Sequence, residues 1–196
     1  DLADPSLKGE ICVRSSTNIY NLSLMAEMIE RWGPAEAEAW AKGVVANMAR
    51  SPQGGDTDQI EAVAAGLCSV AVTNHYYWVR MAQSGANSAR EAADSTRLIF
   101  PGFGDGANMH VNITGAALAA NATNVDEALQ FIEFLLTEQG QGLLVDETKE
   151  IPVAEGVTWP EGLDAIPEVV DSDTPLNTFG ERQSEAQRIF DAAGWN

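Results

Sequence analysis

Cys68-Ser69-Val70-Ala71-Val72-Thr73-Asn74-His75-Tyr76-Tyr77-Trp78 changes its periodicity half-way along. The first six residues read as a buried strand, and Tyr76 onward reads as a helix. Consecutive strand residues point to opposite faces, whereas consecutive helical residues are about 100° apart. Two adjacent phenols can therefore face one point only where the chain stops being extended, which puts Tyr76 and Tyr77 at a strand-to-helix junction. The chain holds 3 tyrosines, the third being Tyr20.

Working outward, strand and helix signals alternate over the first hundred residues. Residues 10–15 read as a strand, and Ser15-Ser16-Thr17 offers N-cap chemistry for a helix through Leu22, Leu24, Met25, Met28 and Ile29 to Gly33-Pro34. A second helix, 34 to about 48, carries Ala37, Trp40, Ala41, Val44 and Val45 on one face. Gly54-Gly55-Asp56 reads as a turn with Asp56 as N-cap of a helix through Ile60, Val63 and Ala64 that ends at Gly66. The strand at 68–74, the helix from Tyr76 to about 84 and a further strand at Leu98-Ile99-Phe100 complete an α/β unit with a mostly parallel sheet.

Residues 101–109 have loop composition, and His110-Val111-Asn112-Ile113-Thr114-Gly115-Ala116 reads as extended. Asn124-Val125-Asp126-Glu127 caps an amphipathic helix with Ala128, Leu129, Phe131, Ile132, Phe134 and Leu135, and another helix spans about 138–145. The segment 152–175 is rich in Pro, Gly and acid, and a last helix at about 180–193 carries Ile189 and Phe190. This second half supplies helices with large apolar faces but hardly any strand against which to bury them.

The 196 residues suffice for one large domain or two small ones, and a hydrophobic content of 45% provides a core. With 29 acidic against 11 basic residues the formal charge is −18, which repels nucleic acid and anionic lipid surfaces. No apolar stretch approaches the roughly 18 residues that span a bilayer, so no membrane insertion is expected. The chain begins Asp1-Leu2-Ala3 rather than with Met, and is expected to be processed, trimmed or cut from something longer. Cys12 and Cys68 each lie in a β-rich run. Two readings stand: a disulfide, which implies an oxidising compartment, or two buried free thiols.

A phenolate is a hard anionic oxygen donor of the kind a trivalent cation such as ferric iron prefers. Tyr20 lies about one turn into the first helix, and the tyrosine pair opens a later one. In a parallel α/β unit both helix starts lie beyond the carboxyl ends of strands, the edge where ligands bind, so the three phenols can converge. Arg14, Ser15 and Ser16 suit a small anion through hydroxyls, backbone N–H groups and a guanidinium, though capping explains the serines equally well. His75 and His110, the 2 histidines, have no zinc-type spacing or Ser-His-Asp order around them, so surface or capping roles are expected. Without a nucleophile–base pair an enzyme is not expected.

At these residues the chain resembles the periplasmic ferric-ion-binding proteins, the substrate-binding components of iron ABC transporters. The stretches that carry the resemblance are Gly9-Glu10-Ile11-Cys12-Val13-Arg14-Ser15-Ser16 with Asn18-Ile19-Tyr20-Asn21, then Gly54-Gly55-Asp56-Thr57-Asp58-Gln59-Ile60 and Asn74-His75-Tyr76-Tyr77. His110-Val111-Asn112-Ile113-Thr114-Gly115-Ala116 and Phe131-Ile132-Glu133-Phe134-Leu135-Leu136-Thr137-Glu138-Gln139-Gly140-Gln141 continue it. The resemblance implies a type II periplasmic-binding-protein-like fold. It implies Fe(III) ligation by Tyr20, Tyr76 and Tyr77, with carbonate or another small anion near Arg14, Ser15 and Ser16. It further implies a Cys12–Cys68 disulfide, a bacterial periplasmic location and delivery of iron to an ABC permease.

Full family members carry a considerable N-terminal segment before the point where this chain begins. By that comparison residues 1–105 are the second α/β lobe with the tyrosines, and 106–196 the mainly helical returning part of an incomplete first lobe. The apolar faces around Phe131, Phe134 and Leu135 are then expected to be exposed unless a missing N-terminal fragment, a second copy in a homo-oligomer or a rearranged fold covers them. Two alternatives keep the fold and change the function: binding of an organic anion or polyamine, and a noncatalytic oligomerising fragment that no longer binds metal.

Overall fold

β1 (Ile11–Cys12) and β2 (Val70–Ala71) form a parallel pair in the computed structural model, with Ile11 opposite Val70 and Cys12 opposite Ala71. Ile11 also bridges Met48 in parallel. The structure describes residues 2–103, 109–159, 161–162 and 174–196. The helices are α1 (Ile19–Trp32), α2 (Pro34–Asn47), α3 (Asp56–Ala64), α4 (His75–Ala82), α5 (Asn87–Asp94), α6 (Val125–Leu135), α7 (Glu138–Thr148), α8 (Asn177–Glu181) and α9 (Gln183–Ala193). None of the described helices is long and apolar enough to cross a membrane.

Packing divides the chain into two compact units, Asp1–Asn112 with Glu168–Asn196, and Ile113–Pro167. In the first, α1 ends at Gly33, whose φ of 82° an L side chain rarely adopts, and Pro34 opens α2. The apolar stripe of α1 (Leu22, Met25, Met28, Ile29) meets Ala37, Ala41 and Val44 of α2. Ile189 and Phe190 of α9 and the buried Trp195 close this core. These C-terminal residues complete the core under α1 and α2, and they lie in the same compact unit as the first hundred residues.

Several sequence expectations change in detail. The strands at 10–15 and 68–74 shrink to two paired residues each, because Val13 O already turns to Gln53 N at 3.4 Å and the chain then loops into α1. Leu98-Ile99-Phe100 forms no strand; Ile99 is 68% exposed there. Ser15 to Thr17 do not cap α1: Asn18 does, its side chain accepting from Tyr20 N at 3.0 Å, while Ser15 Oγ is engaged by Thr17. Asp56 is the first residue of α3 rather than its N-cap, a place taken by Gly55. The expected final helix is interrupted at Arg182 into α8 and α9. Of the 101–109 loop, 104–108 lie outside the described residues, as do 160 and 163–173 of the acidic Pro/Gly segment.

Cys12 and Cys68 form a disulfide with a Cα–Cα distance of 6.0 Å, buried beside Ala62. It ties β1 to the turn before β2 across 56 residues, a loop whose closure is worth about 4 kcal/mol. Urea unfolding of the chain with Cys12→Ala and Cys68→Ala together is expected to show that loss; an unchanged midpoint would contradict it.

The second unit contains α6 and α7. Thr137 caps α7 by accepting from Gly140 N at 3.1 Å, and the buried Gln141 donates to Leu135 O and accepts from Val153 N at 2.7 and 2.9 Å. α6 buries no residue: Phe131 is 61% exposed, and Leu129, Leu136 and Leu143 are exposed as well. The apolar exposure expected around Phe131 is therefore present, with Phe134 and Leu135 half-buried.

Candidate metal centre

Two helix N-termini of the first unit bring the tyrosines together. Capping by Asn18 sets Tyr20 as the second residue of α1, and Tyr76 and Tyr77 are the second and third residues of α4, which follows Asn74. Tyr76 Oη donates to Tyr20 Oη at 2.9 Å, and Asn74 Nδ2 donates to Tyr76 Oη at 3.4 Å. The Tyr76 and Tyr77 rings lie 4.6 Å apart, tilted by 32°. One turn on, the Arg80 guanidinium stands 5.0 Å from the Tyr76 ring and 5.7 Å from the Tyr77 ring, a cation–π arrangement. All three tyrosines are half-buried.

Burial pushes the Tyr76 phenol well above its ordinary value, and its hydrogen bonds with Tyr20 and Tyr77 push the same way. At Tyr20 the hydrogen bond from Tyr76 lowers the value, but the bond with Tyr77, burial and the nearby charges of Tyr77 and Asp56 outweigh it, so this phenol is raised too. Both groups hold their protons until something stronger displaces them. Burial works against the charge of Arg14, yet the Asp56 carboxylate and the Tyr77 hydroxyl more than offset it and hold the guanidinium above its ordinary value.

Arg14 Nη1 donates to Asp56 Oδ1 at 2.8 Å, and its guanidinium lies 5.4 Å from the Tyr20 ring. Its Nε is buried without a hydrogen-bond partner. The loop that carries it is fixed from far away: Trp195 Nε1 donates to Arg14 O at 2.9 Å, and Asn21 Nδ2 donates to Arg14 O and Ser15 O at 3.2 and 3.0 Å. Ser15 Oγ pairs with Thr17 Oγ1 at 3.0 Å, and the buried Ser16 Oγ accepts from Gln187 Nε2 at 3.3 Å. Arg14 thus joins the tyrosines, while both serine hydroxyls are engaged elsewhere.

Three participants escaped the sequence reading. Asp56 Oδ2 accepts from Asn74 N at 3.0 Å, so this carboxylate joins Arg14 to the start of the tyrosine helix. Asn74 and Arg80 flank the pair at positions whose spacing, one before and one turn after, is the only signal the sequence offered for them. His75 lies edge-on to Tyr76 at 5.7 Å. His110 is not a surface residue: it is half-buried, pairs with the buried Glu27 and lies 3.2 Å from Ser23 Oγ. Ser23 is 3% exposed and gives its proton to Tyr20 O at 2.9 Å, so this Ser-His-Glu contact ties the chain together and offers no accessible nucleophile. Among the described residues no three of His, Cys, Asp and Glu form a metal-ligating group. The oxygens that do gather are phenolic, a hard donor set that becomes anionic on ionisation.

Known proteins share this architecture. Residues 1–175 match the model of the family described as bacterial extracellular solute-binding protein. Iron uptake protein A2 of Synechocystis sp. is 38% identical over 195 residues, covering 99% of this chain and 56% of that protein. The major ferric iron-binding protein of Neisseria meningitidis serogroup B is 27% identical over 193 residues, covering 98% and 55%. Apo FutA2 from Synechocystis superposes with a TM-score of 0.93 at 38% identity, over 100% of this chain and 62% of the other. The Trichodesmium protein IdiA (FutA), solved with iron and citrate, gives 0.94 at 38% identity and the same coverage. The chain spans about half the length of the curated relatives it matches. The fold is that of the type II periplasmic ferric-binding proteins, and the chain belongs to the family of bacterial extracellular solute-binding proteins.

Proposed function

We propose that the chain binds ferric iron through the phenolates of Tyr20, Tyr76 and Tyr77, in the periplasm, and passes it to an ABC-type permease. The observation that carries this reading is the meeting of phenols from two helix N-termini, with Tyr20 Oη and Tyr76 Oη 2.9 Å apart and Tyr77 stacked on Tyr76. Three phenolates balance the charge of one ferric ion, and such hard donors suit it. The relatives named above for iron uptake and ferric iron binding point to the same cargo. The chemistry is reversible coordination with no bond of the cargo made or broken, so the protein is not an enzyme. Residues 1 to about 105, with α8 and α9 packed on them, are the lobe that supplies these ligands.

A small anion such as carbonate joins the iron near Arg14, Ser15 and Ser16. Arg14 supports this best, because its Nε has no partner, whereas both serine hydroxyls are already engaged. Titration of the chain with ferric nitrilotriacetate is expected to produce a visible phenolate-to-iron charge-transfer band that saturates at one iron per chain. No band, or one without saturation, overturns the reading.

The exposed apolar residues of α6 and α7 are covered, on this reading, by the N-terminal fragment that the resemblance to the ferric-ion-binding proteins implies. The chain alone is expected to bind a hydrophobic dye, and a longer form containing such a segment to lose that binding while remaining monomeric by light scattering. A dimer of the present chain that already excludes the dye would assign the face to a second copy instead.

A further inference from the structure

We propose that Asp56 is the positioning residue of the candidate metal centre: a single buried carboxylate that sets the place of Tyr20 through Arg14 and of Tyr76, with Tyr77 stacked on it, through Asn74. The inference rests on the reading of Tyr20, Tyr76 and Tyr77 as ferric ligands. Asp56 is 2% exposed, and each of its oxygens takes one donor from a different segment. Oδ1 accepts from Arg14 Nη1 at 2.8 Å, and Oδ2 accepts from Asn74 N at 3.0 Å. On the first side the guanidinium lies over the Tyr20 ring, 5.4 Å from its centroid. On the second side Asn74 precedes α4, and its side chain reaches Tyr76 Oη at 3.4 Å. Tyr20 and Tyr76 are thus each one residue removed from the same carboxylate, and Tyr77 is stacked on Tyr76 at 4.6 Å.

The local sequence frees Asp56 for this task. A first-turn aspartate ordinarily serves its own helix N-terminus. Here Asp58 does so, accepting from Gly55 N at 2.5 Å, and Gln59 braces the turn by donating to Gln53 O and Gly55 O at 2.6 and 2.9 Å. Gly54, at φ +69°, makes the tight approach possible, since a Cβ there would lie 2.7 Å from Asp58 Cβ. The Asp56 charge opposes ionisation of Tyr20, and pairing with Arg14 offsets part of it, so what the carboxylate contributes to the site is geometry. Asparagine cannot replace it, because one end of the amide would present N–H to a donor.

The test uses Asp56→Asn and, as a second variant, Arg14→Leu with Asp56→Leu, since apolar replacement of both members of a buried ion pair generally preserves the fold. Both are titrated with ferric nitrilotriacetate beside the unchanged chain and Tyr76→Phe. Loss of an outer-shell partner is expected to weaken ferric affinity about 10- to 100-fold. It is also expected to lower the charge-transfer intensity and the tyrosinate resonance Raman signal per bound iron, which general destabilisation of the folded fraction would leave unchanged. Unaltered affinity and intensity per iron in either folded variant overturn the role of Asp56. If Tyr76→Phe changes the band while Asp56→Asn does not, this inference alone fails; if the unchanged chain shows no band, the ferric reading fails with it.

Discussion

Replacing Tyr76 and Tyr77 together by phenylalanine is expected to cut the ferric charge-transfer band to the weaker, shifted band of Tyr20 alone and to weaken ferric binding by about 10⁴-fold. The magnitude follows from metal sites worth about 10–16 kcal/mol over four ligands: at about 3 kcal/mol each, two lost ligands cost about 6 kcal/mol. The fold should survive, because phenylalanine keeps the ring stack at 4.6 Å and the aromatic faces under Arg80. What is removed from the folded protein is chiefly the Tyr76–Tyr20 hydrogen bond, worth about 1 kcal/mol. Circular dichroism and isothermal titration with a ferric chelate check both halves of the expectation. A doubly substituted chain that retains the band and the affinity would remove the tyrosines from the site.

The strand-to-helix junction at 68–78 was legible because its periodicity changes within a few residues, and that change is a local property. The adjacency of Tyr76 and Tyr77 at the start of a helix followed directly. Tyr20 was legible as the start of another helix, though the cap was misread among four neighbouring candidates, Ser15, Ser16, Thr17 and Asn18, all of which favour such positions. α5 carried no readable signal, since Asn87-Ser88-Ala89-Arg90-Glu91-Ala92-Ala93-Asp94 has no large apolar residue to betray its buried face. The pairing of Cys12 with Cys68 could not be decided from the residues themselves, because it depends on two strands becoming neighbours.

The interactions that organise the candidate metal centre lay further out of reach. Arg14 meets Asp56 across 42 residues, and Trp195 holds the Arg14 carbonyl across 181. Neither partner has a local pattern that names the other. Asp56 was misread as a helix cap for the same reason: a first-turn aspartate looks identical whether it serves its own helix or a distant guanidinium. Chemistry borne by one residue type was visible in the sequence, whereas chemistry shared between segments required the fold.

Ferric affinity is expected to fall by at least about 10⁴-fold between pH 7 and pH 5. Tyr20 and Tyr76 are raised above the ordinary phenol value, so both hold their protons throughout this range. Each must release its proton to ligate. Binding therefore expels at least two protons, and the logarithm of affinity rises with pH at a slope of at least two. The sign is fixed by the neutral form being the stable one before iron arrives: acid favours the empty site, and alkali the filled one. Competition against a chelator whose own protonation is subtracted gives the slope, and proton uptake by a weakly buffered indicator gives the count directly. The rival is iron held loosely on the surface of a chain with 29 acidic residues. Carboxylates titrate near 4 and are already ionised at pH 5, so affinity arising there would be nearly flat across the same interval. A slope below one would assign the iron to those carboxylates, whereas a slope of two or more requires donors that enter the interval protonated, as the two raised phenols do.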